Sequence, residues 1–141
     1  DIVRTVEMLK KYGLEIHASY ILGALHDNAR TVHETIRFAK RLDTNVANFS
    51  ILTPYPGTAL YEQVKERIYK WRRPWSFFDM QHLVFKHKNF SFIRLEWLLL
   101  KASLLYYTRS RKAVRDIWNH IRKHRLGIGG LFHFLKDYFG G

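Results

Sequence analysis

A short apolar run, Val46 to Leu52, ends in Thr53-Pro54-Tyr55-Pro56-Gly57-Thr58, and a helical pattern follows at once. Two prolines and a glycine make this turn rigid. Such a turn costs helix and sheet propensity, so its use is to hold a shape at a strand end. In an α/β sheet or barrel, ligands bind at the carboxyl ends of the strands. The chemistry on offer is therefore ligand binding. Metal chemistry has less support. Among eight histidines, the His120/His124 spacing of i, i+4 alone resembles a helical ligand pair. That pair lies on a basic face that repels cations, which favours a solvated face. His17 lies in an apolar strand and reads as a hydrogen-bonded core residue within reach of a ligand cavity. With no cysteine, disulfides, Cys-ligated zinc and Cys-ligated iron–sulfur clusters are excluded within these residues. The same absence fits a cytosolic protein.

The elements that must position the turn follow from periodicity. Ile2, Val3, Val6 and Leu9 recur at helical spacing, with Gly13 where a C-terminal cap belongs. Leu14 to Gly23 reads as a strand buried on both faces, as in parallel sheets. Ala24 to Asn28 is a loop, and Asp27 or Asn28 caps the next helix. That helix buries Val32, Ile36, Ala39 and Leu42 and keeps Arg30, Glu34, Arg37, Lys40 and Arg41 wet. The strand Val46 to Leu52 comes next. Thr58 then caps a helix running to about Lys70. Alternating helices and strands with short loops predict right-handed βαβ units in a parallel sheet. Two strands do not make a stable parallel sheet, so further strands are expected upstream. The start at Asp1 fits a piece of a longer protein.

Arg72-Arg73-Pro74-Trp75 breaks the pattern and opens an aromatic, irregular stretch to Lys88. Ser91 reads as the N-cap of a long apolar helix through about Thr108. A further helix, Arg111 to Arg125, sets Val114, Ile117, Trp118 and Ile121 against a basic face. Residues 1–70 carry ten Lys/Arg and eight Asp/Glu, whereas residues 71–141 carry fourteen and four. That shift marks a boundary near residue 70: βα units in 1–70, and a basic, aromatic-rich helical extension in 71–141. No signal peptide or transmembrane span is visible, since Glu96 and Lys101 interrupt the most apolar window, Leu95 to Tyr107.

Two strand ends together carry a family resemblance. Ser19-Tyr20-Ile21-Leu22-Gly23 with Asp27-Asn28, and then Phe49-Ser50-Ile51-Leu52-Thr53-Pro54-Tyr55-Pro56-Gly57-Thr58, resemble the last two βα units of a radical S-adenosylmethionine barrel. The likeness is to the group of the anaerobic magnesium-protoporphyrin ester cyclase type, which usually carries a cobalamin-binding domain. The aromatic segment, the Ser91-led helix and Tyr106-Tyr107-Thr108-Arg109-Ser110-Arg111 match that group's tail. The resemblance covers about residues 1–125. Leu25 and His26 depart from it, standing where the group has Pro and Gly.

The resemblance implies an α/β fold: the C-terminal part of a partial (β/α)6 TIM-like barrel, followed by a mainly helical extension. It implies that Ile21 packs on the adenine of S-adenosylmethionine. It also implies that Gly23 permits close approach, and that backbone groups around Leu52, Thr53, Pro54 and Tyr55 meet the adenine edge. Ser19, Asn48 and Ser50 are the polar candidates on the inner face. The implied cofactors are S-adenosylmethionine, a [4Fe-4S] cluster with ligands outside this chain, and cobalamin if the group's usual domain is present. The whole enzyme would cleave S-adenosylmethionine reductively to a 5′-deoxyadenosyl radical, for methylation or cyclisation of a small-molecule substrate. A low-potential electron donor and the upstream part of the same polypeptide are the implied partners. A Cys-x3-Cys-x2-Cys motif is expected roughly 150 residues upstream of Asp1. On its own the chain should be inactive.

Two other readings compete. The basic face of residues 109–125 suits nucleic acid or an anionic membrane surface, although no groove-reading motif accompanies it. An unrelated TIM-like barrel enzyme would use the same strand ends for another ligand.

Overall fold

The computed structural model describes residues 1–109. The helix expected over Arg111–Arg125, its His120/His124 pair and the segment Leu131 to Phe139 lie outside the described residues.

Helix α1 (Ile2–Lys11) is capped by Asp1, whose carboxylate accepts the Val3 N–H at 3.0 Å. Only Val6 of its apolar residues is buried, and Lys10 Nζ donates to Leu42 O at 2.8 Å. Strand β1 (His17–Leu22) is shorter than the expected Leu14–Gly23, and its burial alternates. Tyr20 and Leu22 enter the core, while His17, Ser19 and Ile21 stay exposed. The expectation of a strand buried on both faces, with His17 in the core, is therefore corrected. The pleat turns every second side chain away from the helices. The His17 imidazole stands 66% exposed, with Nε2 at 3.4 Å from the Glu15 carboxylate.

Helix α2 (Ala29–Leu42) buries Val32, Ile36, Ala39 and Leu42, the expected stripe. Asn28 is its cap: the side chain accepts from the N–H groups of Arg30 and Thr31, and Thr31 Oγ1 accepts the Asn28 N–H in return. Strand β2 (Val46–Ile51) pairs parallel with β1 in the register Ser19↔Asn48, Tyr20↔Phe49, Ile21↔Ser50 and Leu22↔Ile51. The architecture is thus α/β, with four α-helices and a two-stranded parallel sheet among the described residues.

The helix expected from Thr58 to about Lys70 is cut short. Helix α3 (Ala59–Val64) gives way to a 3-10 turn at Lys65–Arg67, and Ile68 then pairs antiparallel with Phe85. Tyr69 N–H donates to Val84 O and Lys86 N–H to Arg67 O, both at 2.9 Å. Burial accompanies this: Ile68, Leu83, Val84 and Phe85 all enter the core, and the pairing satisfies the carbonyls of Val84 and Arg67. The stretch 75–88 is therefore less irregular than its composition suggests.

Helix α4 (Phe92–Tyr107) starts at Ser91, whose hydroxyl accepts the Arg94 N–H at 3.3 Å. Its Leu95, Leu98, Leu99, Ala102, Tyr106 and Tyr107 share one core with β1, β2 and α2. Each of the three leucines contributes about 1.5–3 kcal/mol by its burial. The Tyr107 hydroxyl donates to Ala47 O at 3.1 Å and accepts Ala47 N–H at 3.2 Å. Ile51 N–H donates to Met80 O at 2.6 Å. These contacts close the outer edge of β2 at both ends, whereas no described strand pairs with the other edge of β1.

Arg72 fixes the segment between α3 and α4. It is 4% exposed and donates to both carboxylate oxygens of Glu96 and, at 3.2 Å, to Leu83 O. Its guanidinium lies 4.4 Å from the Trp71 ring centre and 4.5 Å from that of Phe92.

Candidate functional site

In-phase parallel pairing puts Ser19 beside Asn48 and Ile21 beside Ser50 on the sheet face opposite the core. Ser19 and Ile21 are exposed, Ile21 by 57%, while Asn48 and Ser50 are half-buried. Ser50 Oγ reaches only 3.5 Å from Tyr20 O. An uncovered face on a parallel sheet is unusual, since such sheets are normally covered on both sides. Here it presents two hydroxyls, an amide and one large apolar side chain.

The loop leaving β1 is held from two sides. Asp27 accepts the Ala24 N–H at 2.9 Å, and Thr31 Oγ1 donates to Asp27 at 2.7 Å. Across the loop, His87 Nε2 lies 2.9 Å from Ala24 O, and Asn89 Nδ2 donates to Asp27 O at 2.7 Å. A carbonyl only accepts, so His87 Nε2 carries the hydrogen. Its Nδ1 then accepts Asn89 N–H at 3.0 Å. His87 and Asn89 are loop-setting residues that sequence reasoning missed. They lie 63 and 62 residues from the loop groups they bind, in an aromatic segment with no local pattern to mark them.

Gly23 is buried with φ +76°, and a Cβ there would meet Leu95 Cδ2 at 2.5 Å. Close approach is therefore required by the packing of α4, whatever else passes nearby. Gly23→Ala combines a left-handed backbone with an overpacked contact and should destabilise the chain by about 1–3 kcal/mol in urea unfolding. An unchanged midpoint would contradict this reading.

The loop leaving β2 is rigid for visible reasons. Leu52 N–H continues the ladder to Leu22 O at 2.9 Å. Thr53 and Pro54 turn into the core, and the Thr53 hydroxyl is spent on Ile51 O at 3.0 Å. Tyr55 points out and donates to Phe78 O at 2.9 Å. Thr58 Oγ1 donates to Tyr55 O at 2.7 Å and accepts Tyr61 N–H at 3.2 Å, which closes the turn and starts α3. Gly57 takes φ +86° there. The structure thus brings Ser19, Ile21, Asn48 and Ser50 together on one face. The side chains of Thr53 and Pro54 are turned away from that face, leaving backbone as what this turn can offer a ligand.

Among the described residues, no cluster of three or more His, Cys, Asp or Glu could hold a metal ion. No described helix is long and apolar enough to cross a membrane.

No family model matches the chain. Curated relatives do. The chain is 35% identical over 118 residues to an uncharacterized methyltransferase of Pyrococcus horikoshii, covering 84% of this chain and 26% of that protein. It is 26% identical over 116 residues to bacteriochlorophyllide d C-8(2)-methyltransferase of Chlorobaculum tepidum, covering 82% and 26% respectively. Over 65 residues it is 28% identical to the anaerobic magnesium-protoporphyrin IX monomethyl ester cyclase of Rubrivivax gelatinosus, covering 46% and 12%. The chain spans about a quarter of the length of the methyltransferases, 26% in each case. These relatives are methyltransferases and a cyclase by name, and this chain is similar to one stretch of each.

Proposed function

We propose that the chain is the C-terminal part of a radical S-adenosylmethionine enzyme and forms the adenine side of the cofactor pocket. The observation that carries this reading is the uncovered inner face. Ser19, Ile21, Asn48 and Ser50 stand together there, below two braced loops at the carboxyl ends of both strands. That is where α/β folds bind ligands. The similarity to methyltransferases and a cyclase supports the same chemistry class.

The residues present fit part of the cofactor. Ile21 offers an apolar surface to a purine face, Ser19, Asn48 and Ser50 offer hydrogen bonds, and backbone groups from Leu52 to Tyr55 offer donors and acceptors at its edge. Bound S-adenosylmethionine supplies the 5′-deoxyadenosyl group or the methyl group. The chain has no cysteine, so a [4Fe-4S] cluster takes its ligands from elsewhere in the polypeptide, as does cobalamin if it is used. The electron comes from a low-potential carrier. The role of these residues is to bind and orient, and to keep water off the purine.

The test uses the full-length protein, reconstituted anaerobically with iron and sulfide and reduced with dithionite. Formation of 5′-deoxyadenosine from S-adenosylmethionine is the expected result. A protein that holds no iron, or holds it and forms none of this product, overturns the reading. Ile21→Asp places a carboxylate against the purine and should weaken S-adenosylmethionine binding about tenfold or more in equilibrium dialysis. Since Ile21 is exposed, its fold should persist.

A further inference from the structure

Beyond the inner face, a half-open cavity of about 370 Å³ lies beside the β2 turn, walled by Pro56, Tyr61, Lys65, Arg73, Trp75 and Phe78. Its volume is within the range of small-molecule sites. Its apolar wall is built, not incidental. Ile68 and Phe78 are buried there, and Phe78 is held by the Tyr55 hydroxyl on its carbonyl. Trp75 packs 5.4 Å from Phe78, centre to centre, and still leaves 69% of its surface in solvent. Pro74 O accepts Phe77 N–H and Trp75 O accepts Phe78 N–H, so this turn fixes the main chain that carries Trp75 and Phe78.

The charges at the rim are unequal in availability. Lys65 is already engaged by Glu62 at 2.7 Å. Glu66 also lines the cavity, and it disfavours a polyanion. Arg72 is committed to Glu96, but its neighbour Arg73 has no ion pair or hydrogen bond among the described residues. One uncommitted guanidinium matches one carboxylate, which it can grip with two parallel hydrogen bonds. Two aromatic rings at its side match a flat apolar body.

We propose that this cavity binds a planar aromatic monocarboxylate, with its ring against Trp75 and Phe78 and its carboxylate on Arg73. As a substrate assignment this rests on the enzyme reading above; as a binding site it stands alone. Arg72 and Arg73 then divide the work, one holding the fold and the other meeting the ligand.

Equilibrium dialysis of 2-naphthoate against the full-length protein tests this, with 2-acetylnaphthalene as the neutral counterpart. Saturable naphthoate binding is expected. Arg73→Gln should weaken it about tenfold or more, the scale of a lost charge-assisted pair, and leave the neutral compound's binding unchanged. Trp75→Ala should weaken both. Both side chains are exposed, so neither change should unfold the protein. Naphthoate binding that is absent, is indifferent to Arg73→Gln, or is displaced by S-adenosylhomocysteine overturns the proposal. S-adenosylmethionine binding by the unaltered protein is measured in parallel. Its absence would sink the cofactor reading while a positive naphthoate result stood.

Discussion

Glu96→Ala should destabilise the chain by about 3–5 kcal/mol. The reason is what the carboxylate leaves behind. Arg72 is 4% exposed, and its Nε–H already finds no acceptor among the described residues. Removing Glu96 strips both terminal nitrogens of their anion and deprives Leu83 N–H, at 3.1 Å from Oε1, of its acceptor. The rings of Trp71 and Phe92 attract the guanidinium but cannot replace a carboxylate. Glu96→Gln keeps an oxygen for Leu83 and should lose about half as much. The double change Arg72→Met with Glu96→Leu, which removes both charges, should recover much of the loss. Urea unfolding of the four proteins reads this directly. If the single Glu96→Ala variant unfolds at the parent's midpoint, the pair does not hold this segment.

Tyr107→Phe should cost about 2–4 kcal/mol, with the loss of a single oxygen atom. That hydroxyl serves both the N–H and the C=O of buried Ala47, so its removal orphans two backbone groups at about 1–3 kcal/mol each. Tyr20→Phe is the matched control. The Tyr20 hydroxyl is buried with no partner of hydrogen-bond geometry. Burial first, and neighbouring Tyr106 second, push its pKa above the usual phenol value. The Thr44 hydroxyl pulls the other way, but it is committed to Val46 O at 3.0 Å and Tyr106 at 3.1 Å. Tyr20→Phe should therefore be neutral or stabilising. Equal losses for the two variants would show that the hydroxyls matter only as bulk.

The contrast between these tyrosines marks what sequence could tell. Local rules were legible. The α2 stripe, its cap at Asp27 or Asn28, the Ser91 start of α4 and the rigid Thr53–Thr58 turn depend on neighbours within a few residues, and pattern reading found them, with the choice of Asn28 left to the structure. The face shared by Ser19, Ile21, Asn48 and Ser50 did not follow from alternation, since the first strand was read as buried on both faces; the in-phase parallel register places them side by side. The errors came from non-local competition. His17 was assigned to the core because its apolar neighbours suggested two buried faces, but only one face meets α2 and α4. The helix after Thr58 stops early because Ile68 gains more by pairing with Phe85, a partner seventeen residues away. Arg72 looked like part of a charged break, and nothing near it announced Glu96. His87 was one of eight histidines until Ala24 O appeared beside it.

The unequal edges of the sheet have a consequence for handling this chain by itself. At β2, the Tyr107 hydroxyl and the Met80 carbonyl occupy sites where another strand would add. At β1 no described strand does so. An open edge is a template for pairing with other chains. Association of the isolated chain would therefore be polar, proceeding through β1 and stopping at β2. By strand pairing it would favour closed pairs with β1 edges joined over indefinite fibres, because among the described residues only that edge of the sheet is left open.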